Sequence, residues 1–471
     1  MADEVKEMAT VQATDLSKTV RGEVIGPGSP AYEEARRIWN GAIDRRPAAI
    51  VRVTNADDVI ACVLFARSHG FPIAIRGGGH NVAGSALVDG GVVVDFSNLR
   101  QVSVDPERAE VTVAPGALLG DLDEAVQQRG LIVPSGVVTH TGVAGLTLGG
   151  GIGHTMRRYG LTCDCLLGVD MVTAEGEVVR ASREENAELF WGLRGGGGNF
   201  GIVTKFLFRA HPMGTQVTGG VLVHAADRAA EVLAAYRDAM ASAPAELGSV
   251  VALRSAPPAP YIPASLHGRP VVLIGLFHTG RATDAERFLQ PLRQFGPPLV
   301  DTIARRPFLE IQGMFDASVP HGWRYYWKSH YLPPLTDLAI ETLVDRAWDK
   351  RSIRSYTLLF HMGAAVRAVT DGASAFSGRE AEHAVNINGA WLDGEDADDT
   401  QWVRSFFNAL RPHSTGGVYI NFMGEEGSER VLAAYGAEKY GRLQRLKSAW
   451  DPENTFRANQ NIMPLPKRET L

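Results

Sequence analysis

The chain has 471 residues, of which 45% are hydrophobic and 21% are charged, as is usual for globular proteins. Its length exceeds that of one compact core and predicts at least two domains. The 53 acidic and 47 basic residues give a mild formal charge of −6, which does not indicate a surface for nucleic acid or an anionic membrane. The 51 glycines, many of them clustered, predict backbone that approaches another group closely or adopts positive φ.

The N-terminal segment, residues 1–17, is polar and lacks the apolar stretch of a signal peptide. No run of 18 apolar residues follows, so we expect a soluble, cytoplasmic protein with a loose leader. The three cysteines, Cys62, Cys163 and Cys165, are too few for a disulfide framework and lack the spacing of a metal site. We expect them to be small buried residues, and a strand would put Cys163 and Cys165 on one face.

The first half of the chain predicts alternating strands and helices. A strand at 48–53 precedes a helix that begins at Asn55 and ends at Gly70, and a strand at 71–76 then runs into a glycine cluster. This order is typical of an α/β unit. Further strands are predicted at 90–97, 110–116 and 201–212, a helix at 117–130, and a hairpin at 168–182 with its bend at Glu175 and Gly176.

After residue 213 the glycine clusters cease and the pattern becomes α+β. A helix is predicted at 226–242, strands at 270–280, 354–366 and 416–424, a proline-rich surface connection at 255–270, and a helix near 428–449.

Three glycine clusters stand at residues 77–79, 149–151 and 195–198. Glycine loops after strands direct several backbone N–H groups to one point, which makes a site for an anion such as phosphate. None of the clusters continues as a P-loop, and His154 replaces the third small residue of a dinucleotide-binding fingerprint. Three such loops in one half of the chain favour an anion cradle over the alternative of three structural turns.

Several motifs carry a resemblance to a known family. "RGGGHNVAG" (76–84), "PSGVVTHTGVAGLTLGGGIGH" (134–154), "YGLTCD" (159–164) and "ENAELFWGLRGGGGNFGIVTKFLF" (185–208) resemble the PCMH-type FAD-binding domain of the vanillyl-alcohol-oxidase superfamily. "YINF" (419–422) and "DPENTFRANQNI" (451–462) resemble the end of its berberine-bridge-enzyme branch, and the middle third matches more weakly. The chain is also similar in texture to bacterial flavin oxidases of this branch, which include 6-hydroxynicotine, sugar and polyketide-tailoring oxidases.

The resemblance implies an α+β fold, a two-domain flavoprotein of the vanillyl-alcohol-oxidase type. The FAD-binding domain is expected to be discontinuous, at 18–213 plus 417–471. A substrate-binding domain, at 214–416, is expected to lay an antiparallel sheet over the isoalloxazine.

The resemblance also implies the cofactor, FAD, and its residues. His80 matches the histidine that this branch bonds to the flavin 8α-methyl, and a neutral imidazole is a competent nucleophile. Val138 stands where several members carry a cysteine for a second covalent link, so we expect a covalent bond through His80 only. The alternative is that His80 merely fills a surface loop. The residues expected to bind FAD are Arg76, Gly77, Gly78, Gly79, His80, Asn81, Ser135, Gly136, Val137, Thr141, Gly142, Gly145, Gly150, Gly151, Asn199, Gly201, Val203 and Asn461.

Four residues are candidates for catalysis. In the berberine-bridge branch a tyrosine in Tyr-x-Asn commonly faces the flavin, and this motif is Tyr419 and Asn421, which alternation along a strand puts on one face. A tyrosine with the usual pKa near 10 is a poor base and needs a cation nearby, for which Lys328, on one strand face with Tyr326, is the candidate. The alternative for Tyr419 is a packed tyrosine with a satisfied hydroxyl. His154 and His140 flank the second glycine cluster, where a structural, hydrogen-bonded role is favoured for His154.

The function that these features indicate is that of a covalent-FAD oxidase, which transfers hydride from an organic substrate to flavin N5 and then passes the electrons to O2, giving H2O2. The strand at 355–363 has no carboxylate on either face, which favours an apolar or aromatic substrate over a free sugar. The first choice is a tailoring role on an aromatic or polyketide-like metabolite. The alternatives are oxidation of a sugar or amine, a dehydrogenase that excludes oxygen, or a binding flavoprotein without turnover. The expected partners are a small organic substrate and molecular oxygen, with neither nucleic acid nor membrane, in a monomer or homodimer.

Overall fold

The structure, a computed structural model, describes residues 15–395 and 397–466. Residues 1–14 of the expected leader lie outside this range, and Leu16 near its end is fully buried. Within the described residues, none of the helices has both the length and the apolar character that crossing a bilayer requires.

A four-stranded sheet begins the chain, with the strand order β1-β2-β4-β3. Its strands are β1 (Glu23–Ile25), β2 (Ala49–Arg52), β3 (Ile73–Arg76) and β4 (Val92–Asp95), and α1 (Tyr32–Ala35) follows β1. β4 pairs in parallel with both β2 and β3, as the α/β pattern predicts. Helix α2 (Ala56–His69) joins β2 to β3, and the Asn55 side chain accepts a hydrogen bond from the Asp58 N–H at its start.

A five-stranded antiparallel sheet follows, with the order β5-β6-β10-β8-β9. Its strands are β5 (Val102–Asp105), β6 (Glu110–Val113), β8 (Leu166–Val172), β9 (Val178–Ser182) and β10 (Ile202–Arg209). Two short strands, β7 (Leu131–Ile132) and β11 (His211–Pro212), form a separate two-stranded sheet. The helices between them are α3 (Leu119–Gln127), α4 (Val143–Leu148), α5 (Met156–Tyr159) and α6 (Ala187–Leu193). The predicted hairpin is the pair β8–β9. Cys163 and Cys165 are buried as predicted, but Cys163 lies in a 3-10 turn at Thr162–Asp164 and Cys165 directly follows it, so neither is in a strand.

A large antiparallel sheet follows, with the order β15-β12-β14-β13-β18-β19-β17 and with β16 paired to β12. Its strands are β12 (Gln216–Ala225), β13 (Leu247–Ser255), β14 (Pro270–His278), β15 (Val300–Asp301), β16 (Ala304–Pro307), β17 (Arg324–Leu332), β18 (Tyr356–His361) and β19 (His383–Trp391). The helices of this region are α7 (Ala229–Met240), α8 (Ala282–Gln294), α9 (Phe308–Gln312), α10 (Asp337–Ala347), α11 (Ala365–Ala368) and α12 (Thr400–Leu410).

The two faces of this sheet differ because side chains alternate along each strand. One face packs against α7, α8, α10 and α12 in one apolar cluster, to which Val251, Leu253 and Leu359 belong. The side chains between them, such as Ala252 and Leu358, belong to the opposite face. We call this opposite face the inner face, and it forms one wall of the site described below.

The C-terminal segment differs from its prediction at two places. The predicted strand at 416–424 is a loop with a 3-10 turn at Ile420–Phe422. The predicted helix near 428–449 is two helices, α13 (Ser428–Tyr435) and α14 (Ala437–Trp450), because Gly436 interrupts it with φ of 76°. Leu443 and Leu446 of α14 nevertheless pack in the same core as Trp191 and Phe200, so the end of the chain returns to its first half.

Candidate active site

A cavity of about 300 Å³ lies between the glycine loops and the inner face of the large sheet. The first and third glycine clusters line it directly, through residues 77–79 and 196–198. At the second cluster, the neighbouring Leu148 and Ile152 line it instead. The loops that follow β3 and α6 therefore converge on one cavity, as the sequence predicts for an anion-binding site formed by glycine loops.

The glycine side of the cavity is bare backbone. A Cβ atom on Gly78 would lie 2.4 Å from the backbone nitrogen of Gly142, so two loops meet there backbone to backbone. A Cβ on Gly145 or Gly198 would meet nothing within 4 Å, because both residues face the open cavity. The backbone N–H groups of Gly78 and its neighbours at 77 and 79 have no acceptor among the described residues. Such unpaired N–H groups beside a cavity fit the pyrophosphate of a dinucleotide.

His80 lies at the end of this backbone wall and is held from two sides. Its ring stacks on the Trp39 indole, with ring centroids 4.2 Å apart. Its Nε2 lies 3.2 Å from Nδ1 of His140, and the ring of His321 lies 4.9 Å from that of His140. Burial, together with the two neighbouring histidines, lowers the pKa of His80 well below its usual value. His80 is therefore a neutral imidazole at physiological pH, which is the nucleophilic form.

Tyr419 lies on the cavity wall, and its hydroxyl is surrounded by donors. The oxygen accepts hydrogen bonds from the N–H groups of Gly151 at 2.8 Å and Ile152 at 3.3 Å. The Asn421 amide donates a third, at 2.8 Å, so the 3-10 turn brings the two side chains together although no strand is present. Burial raises the pKa of Tyr419 to about 12 despite these donors. The three donors are placed to stabilise a phenolate when one forms.

The expected cation beside Tyr419 is not Lys328. The Lys328 ammonium is paired with Glu426 at 2.5 Å and lies 4.6 Å from the ring centroid of Phe407. The Tyr326 hydroxyl accepts a hydrogen bond from Arg404 of α12, on the helix-covered side of the sheet. Strand alternation was predicted correctly, but the face was wrong, because Trp327 is the residue of this strand that lines the cavity.

The inner face of the sheet supplies the wall opposite the glycines. Three neighbouring strands, β17, β18 and β19, contribute its side chains. They are Trp327, Tyr356, Leu358, Phe360, Asn386 and Asn388. The Trp327 indole nitrogen and the Asn386 amide oxygen are buried without a hydrogen-bond partner among the described residues. Buried polar atoms of this kind need a partner, so a ligand with both a donor and an acceptor suits this wall.

The chain matches the family described as FAD binding domain over residues 47–182, and that described as berberine and berberine like over residues 418–463. An FAD-linked oxidoreductase of Dictyostelium discoideum is 30% identical over 462 residues, which are 97% of this chain and 98% of that protein. This chain belongs to the berberine-bridge-like family of FAD-linked oxidoreductases.

Solved structures of the berberine-bridge-like family have the same fold. The 6-hydroxy-D-nicotine oxidase of Arthrobacter nicotinovorans matches with a TM-score of 0.84 and 27% identity, covering 95% of this chain and 98% of that one. A glucooligosaccharide oxidase of Acremonium strictum, described with a 6-S-cysteinyl, 8α-N1-histidyl FAD, matches in fold with a TM-score of 0.85, at 23% identity and covering 97% and 99%. The predicted α+β flavoprotein fold is thus confirmed, and the chain is an FAD-dependent oxidoreductase.

Most of the residues predicted to bind FAD meet at the cavity. Those that line it are Gly77, Gly78, Gly79, His80, Asn81, Gly136, Val137, Thr141, Gly142, Gly145, Asn199, Gly201 and Val203. Since the bare glycine wall and the neutral histidine lie in one cavity, these residues fit the FAD of the berberine-bridge-like family. Five predicted residues, Arg76, Ser135, Gly150, Gly151 and Asn461, are outside the cavity lining.

Arg76 and Ser135 are turned away from the cavity by partners of their own. The Arg76 guanidinium donates to the Ala35 carbonyl oxygen and lies 3.9 Å from the Asp95 carboxylate. The Ser135 hydroxyl donates to Asp123 at 3.1 Å. The resemblance implied both residues, Arg76 through its backbone N–H, and their part in binding FAD stays a prediction.

The other three residues outside the cavity lining belong to the second glycine cluster and the C-terminal loop. Gly150 and Gly151 lie behind Tyr419, to whose hydroxyl Gly151 donates. The Asn461 amide contacts the sulfur of Met463 at 3.2 Å. Asn459 and Gln460 line the cavity in its place.

Sequence reasoning named His140 without its contact to His80, and it missed other residues near His80 and on the sheet wall. Trp39, His140 and Val319 lie close to His80 or line the cavity beside it, yet no motif marks Trp39 or Val319. Asn386 and Asn388 carried a signal, since two amides alternate within an apolar strand, "HAVNINGAW". Polar residues two apart on a buried strand indicate one face with a polar function.

Proposed function

We propose that this FAD-dependent oxidoreductase is an oxidase that holds FAD covalently through His80 alone and oxidises an aromatic or polyketide-like metabolite. The observation that carries the proposal is the single cavity in which the glycine wall, the neutral His80 and the aromatic sheet wall meet. The likeness to 6-hydroxy-D-nicotine oxidase, at 27% identity over nearly the whole chain, supports oxygen as the electron acceptor.

The FAD would be held by backbone at one end and by a side chain at the other. The unpaired N–H groups of residues 77–79 bind the pyrophosphate. His80 tethers the flavin through Nδ1, because its Nε2 is engaged with His140. Val138 lines the cavity at the place where a second tether would need a cysteine, so the bond through His80 stands alone. We also propose that the FAD-binding domain comprises 18–213 and 417–471, with the substrate-binding domain at 214–416.

Bound FAD supplies an acceptor for the hydride. Over the whole reaction the substrate loses two electrons and two protons, and one molecule of oxygen takes up both as H2O2. Tyr419 accepts the substrate proton, because its oxygen lies on the cavity wall. To do so it must first be a phenolate, and the N–H donors of Gly151, Ile152 and Asn421 stabilise that negative charge.

The substrate is bound by the sheet wall. Trp327, Phe360 and Phe422 supply apolar and aromatic surface, and Asn386 and Asn388 supply amide hydrogen bonds. The lining holds neither Asp nor Glu among the described residues. A neutral aromatic ring with a few polar substituents satisfies this wall better than a free sugar, which needs a partner for every hydroxyl group.

The test mixes the purified holoenzyme without oxygen with sugars, amines and phenolic or polyketide-type aromatics and follows the flavin absorbance. Bleaching by aromatic substrates, followed in air by reoxidation within seconds and release of one H2O2 per flavin, is expected. Reoxidation over minutes indicates a dehydrogenase, bleaching by sugars alone contradicts the substrate class, and no bleaching with any compound indicates a binding protein.

A further inference from the structure

A second, smaller pocket adjoins the cavity and shares a wall with it. Its volume is about 50 Å³, which suits a group of a few atoms. The residues that line both spaces are Val137, Val138, Val319, Tyr356 and Leu358. Because the two spaces share five side chains, a group held in the pocket lies beside a substrate in the cavity.

The pocket is mostly apolar, and Arg254 is the charged residue of its lining, which also includes Ser318, Tyr261 and Tyr356. Val250, Ala252 and Arg254 follow one another at every second position of β13, so all three belong to the inner face of the sheet. Ala252 and Leu273 form part of the apolar wall. Arg254 on β13 pairs in register with Tyr356 on β18. Tyr356 is one of the residues that line both the cavity and the pocket. The strand register thus sets a cationic side chain next to the substrate wall.

Arg254 is a buried cation without an anion. Its residue is 8% exposed, and its guanidinium makes one hydrogen bond within the described chain, from Nε to the Ser255 carbonyl oxygen at 3.2 Å. No Asp or Glu of the described residues lies within ion-pair distance of it, and Tyr356 offers only its ring face, 5.2 Å from the guanidinium carbon. A buried charge without a partner is costly, so a position of this kind is expected to have one from outside the chain.

The surrounding groups do not supply the missing charge. Lys350 is a second basic group, whose pKa burial lowers to about 7, and its Nζ donates to the Ser255 hydroxyl at 3.1 Å. Asp399 accepts from the Ser355 hydroxyl and from the backbone N–H groups of Arg351 and Ser352, and therefore faces that loop. The Tyr356 hydroxyl has no hydrogen bond within the described residues and can donate to an anion.

We propose that Arg254 and the small pocket bind a carboxylate of the substrate, so that the oxidised molecule is an aromatic or polyketide-like carboxylic acid. The planar guanidinium matches a carboxylate in shape and charge, and the pocket admits a group of this size. The acid group anchors one end of the substrate while its remainder lies against the sheet wall of the cavity. This inference rests on the proposed function, since it places the substrate in the same cavity.

The experiment titrates the holoenzyme without oxygen with benzoate and with its neutral counterpart benzamide, and follows the shift of the flavin absorbance. Binding is read without turnover, so a failure of the oxidase proposal leaves this result independent. Wild-type protein is expected to bind benzoate at least tenfold more tightly than benzamide. Arg254→Gln is expected to bind benzoate at least tenfold more weakly than the wild type, with its affinity for benzamide unchanged. Arg254→Lys is expected to keep part of the affinity for benzoate.

The matched control is Arg287→Gln, which removes the same charge from an exposed position of α8 and should leave both affinities within twofold. Flavin content and thermal melting check that Arg254→Gln is folded. Equal affinity for both probes in the wild-type protein, no benzoate binding at all, or an Arg254→Gln variant that is folded and binds benzoate normally would each overturn the proposal.

Discussion

The imidazoles of His80 and His140 share a hydrogen bond, with 3.2 Å between Nε2 of the first and Nδ1 of the second. Burial lowers the pKa of both rings, so both are neutral and one must donate to the other. When Nε2 of His80 carries the proton, its Nδ1 bears the lone pair that can attack a flavin. We expect His140 to be the acceptor, which makes Nδ1 the nucleophilic nitrogen of His80.

Replacing His140 should slow the attachment of FAD. His140→Phe keeps an aromatic ring but removes the acceptor that fixes the His80 tautomer, so we expect covalent incorporation to be at least tenfold slower. The measurement adds FAD to apoprotein from flavin-limited cells and follows acid-stable flavin with time. His321→Phe, which contacts His140 and does not hydrogen-bond to His80, is the control and should change the rate little. An unchanged rate for His140→Phe would show that the hydrogen bond has no part in the attachment.

Replacing Tyr419 should reduce catalysis without loss of the cofactor. Tyr419→Phe is expected to lower kcat about 100-fold or more, the usual contribution of a general base. Because burial raises the Tyr419 pKa to about 12, the deprotonated fraction increases tenfold with each pH unit below that value, and kcat/KM of the wild-type enzyme should rise with pH through the neutral range. A pH-independent wild-type profile, or normal turnover by Tyr419→Phe, would assign proton transfer to another group.

Acid should destabilise the fold through buried histidines. Burial lowers the pKa of His154 and of His383 to about 3, whereas an unfolded histidine titrates near 6.5. Between these values the unfolded chain binds more protons, so stability is full above about pH 6.5 and falls as the pH is lowered, by about 1.4 kcal/mol per pH unit for each group. Urea unfolding at pH 7.5, 6.5 and 5.5 measures the slope.

The variant for this test is His154→Leu, because both ring nitrogens of His154 lack a hydrogen-bond partner among the described residues. It should reduce the dependence of the unfolding free energy on pH. The control variant His69→Leu, at an exposed position, should leave that pH dependence unchanged. Equal slopes for the wild type and His154→Leu would mean that His154 is not neutral in the folded state.

The glycine-and-histidine side of the site could be predicted from the sequence because its residues are adjacent in the chain. Residues 77–79 and His80 form one turn after a strand, and glycine marks such turns. The contact of His80 with His140 could not be predicted, since it depends on two loops that meet at Gly78 and Gly142.

The opposite wall shows the limit of periodicity. Alternation places Tyr326 and Lys328 on one face and Trp327 on the other, but it does not say which face meets the cavity. The answer depends on where α12 packs, and Arg404 of that helix binds Tyr326. In the irregular C-terminal loop no period exists, so the sequence could not distinguish Asn461 from Asn459, which lines the cavity.

A cysteine at position 138 should provide a second tether. Val138 lines the cavity and has no nucleophile, so the double variant His80→Ala/Val138→Cys is expected to regain acid-stable flavin in part, while His80→Ala alone has none. Acid precipitation and the absorbance of the redissolved pellet measure the bound flavin. The variant His80→Ala/Val138→Ser controls for the change in size. Failure of the cysteine to react would place position 138 too far from the flavin ring.

The tether itself is measured most directly by acid precipitation of the wild-type protein together with His80→Ala. The wild-type pellet should be yellow, its chain mass should be raised by one FAD, and proteolysis should place the flavin on the peptide that contains His80. His80→Ala should bind FAD in the same cavity yet release all of its colour to the supernatant. Colour in the supernatant of the wild-type protein, or a yellow pellet from His80→Ala, would contradict attachment of FAD through His80 alone.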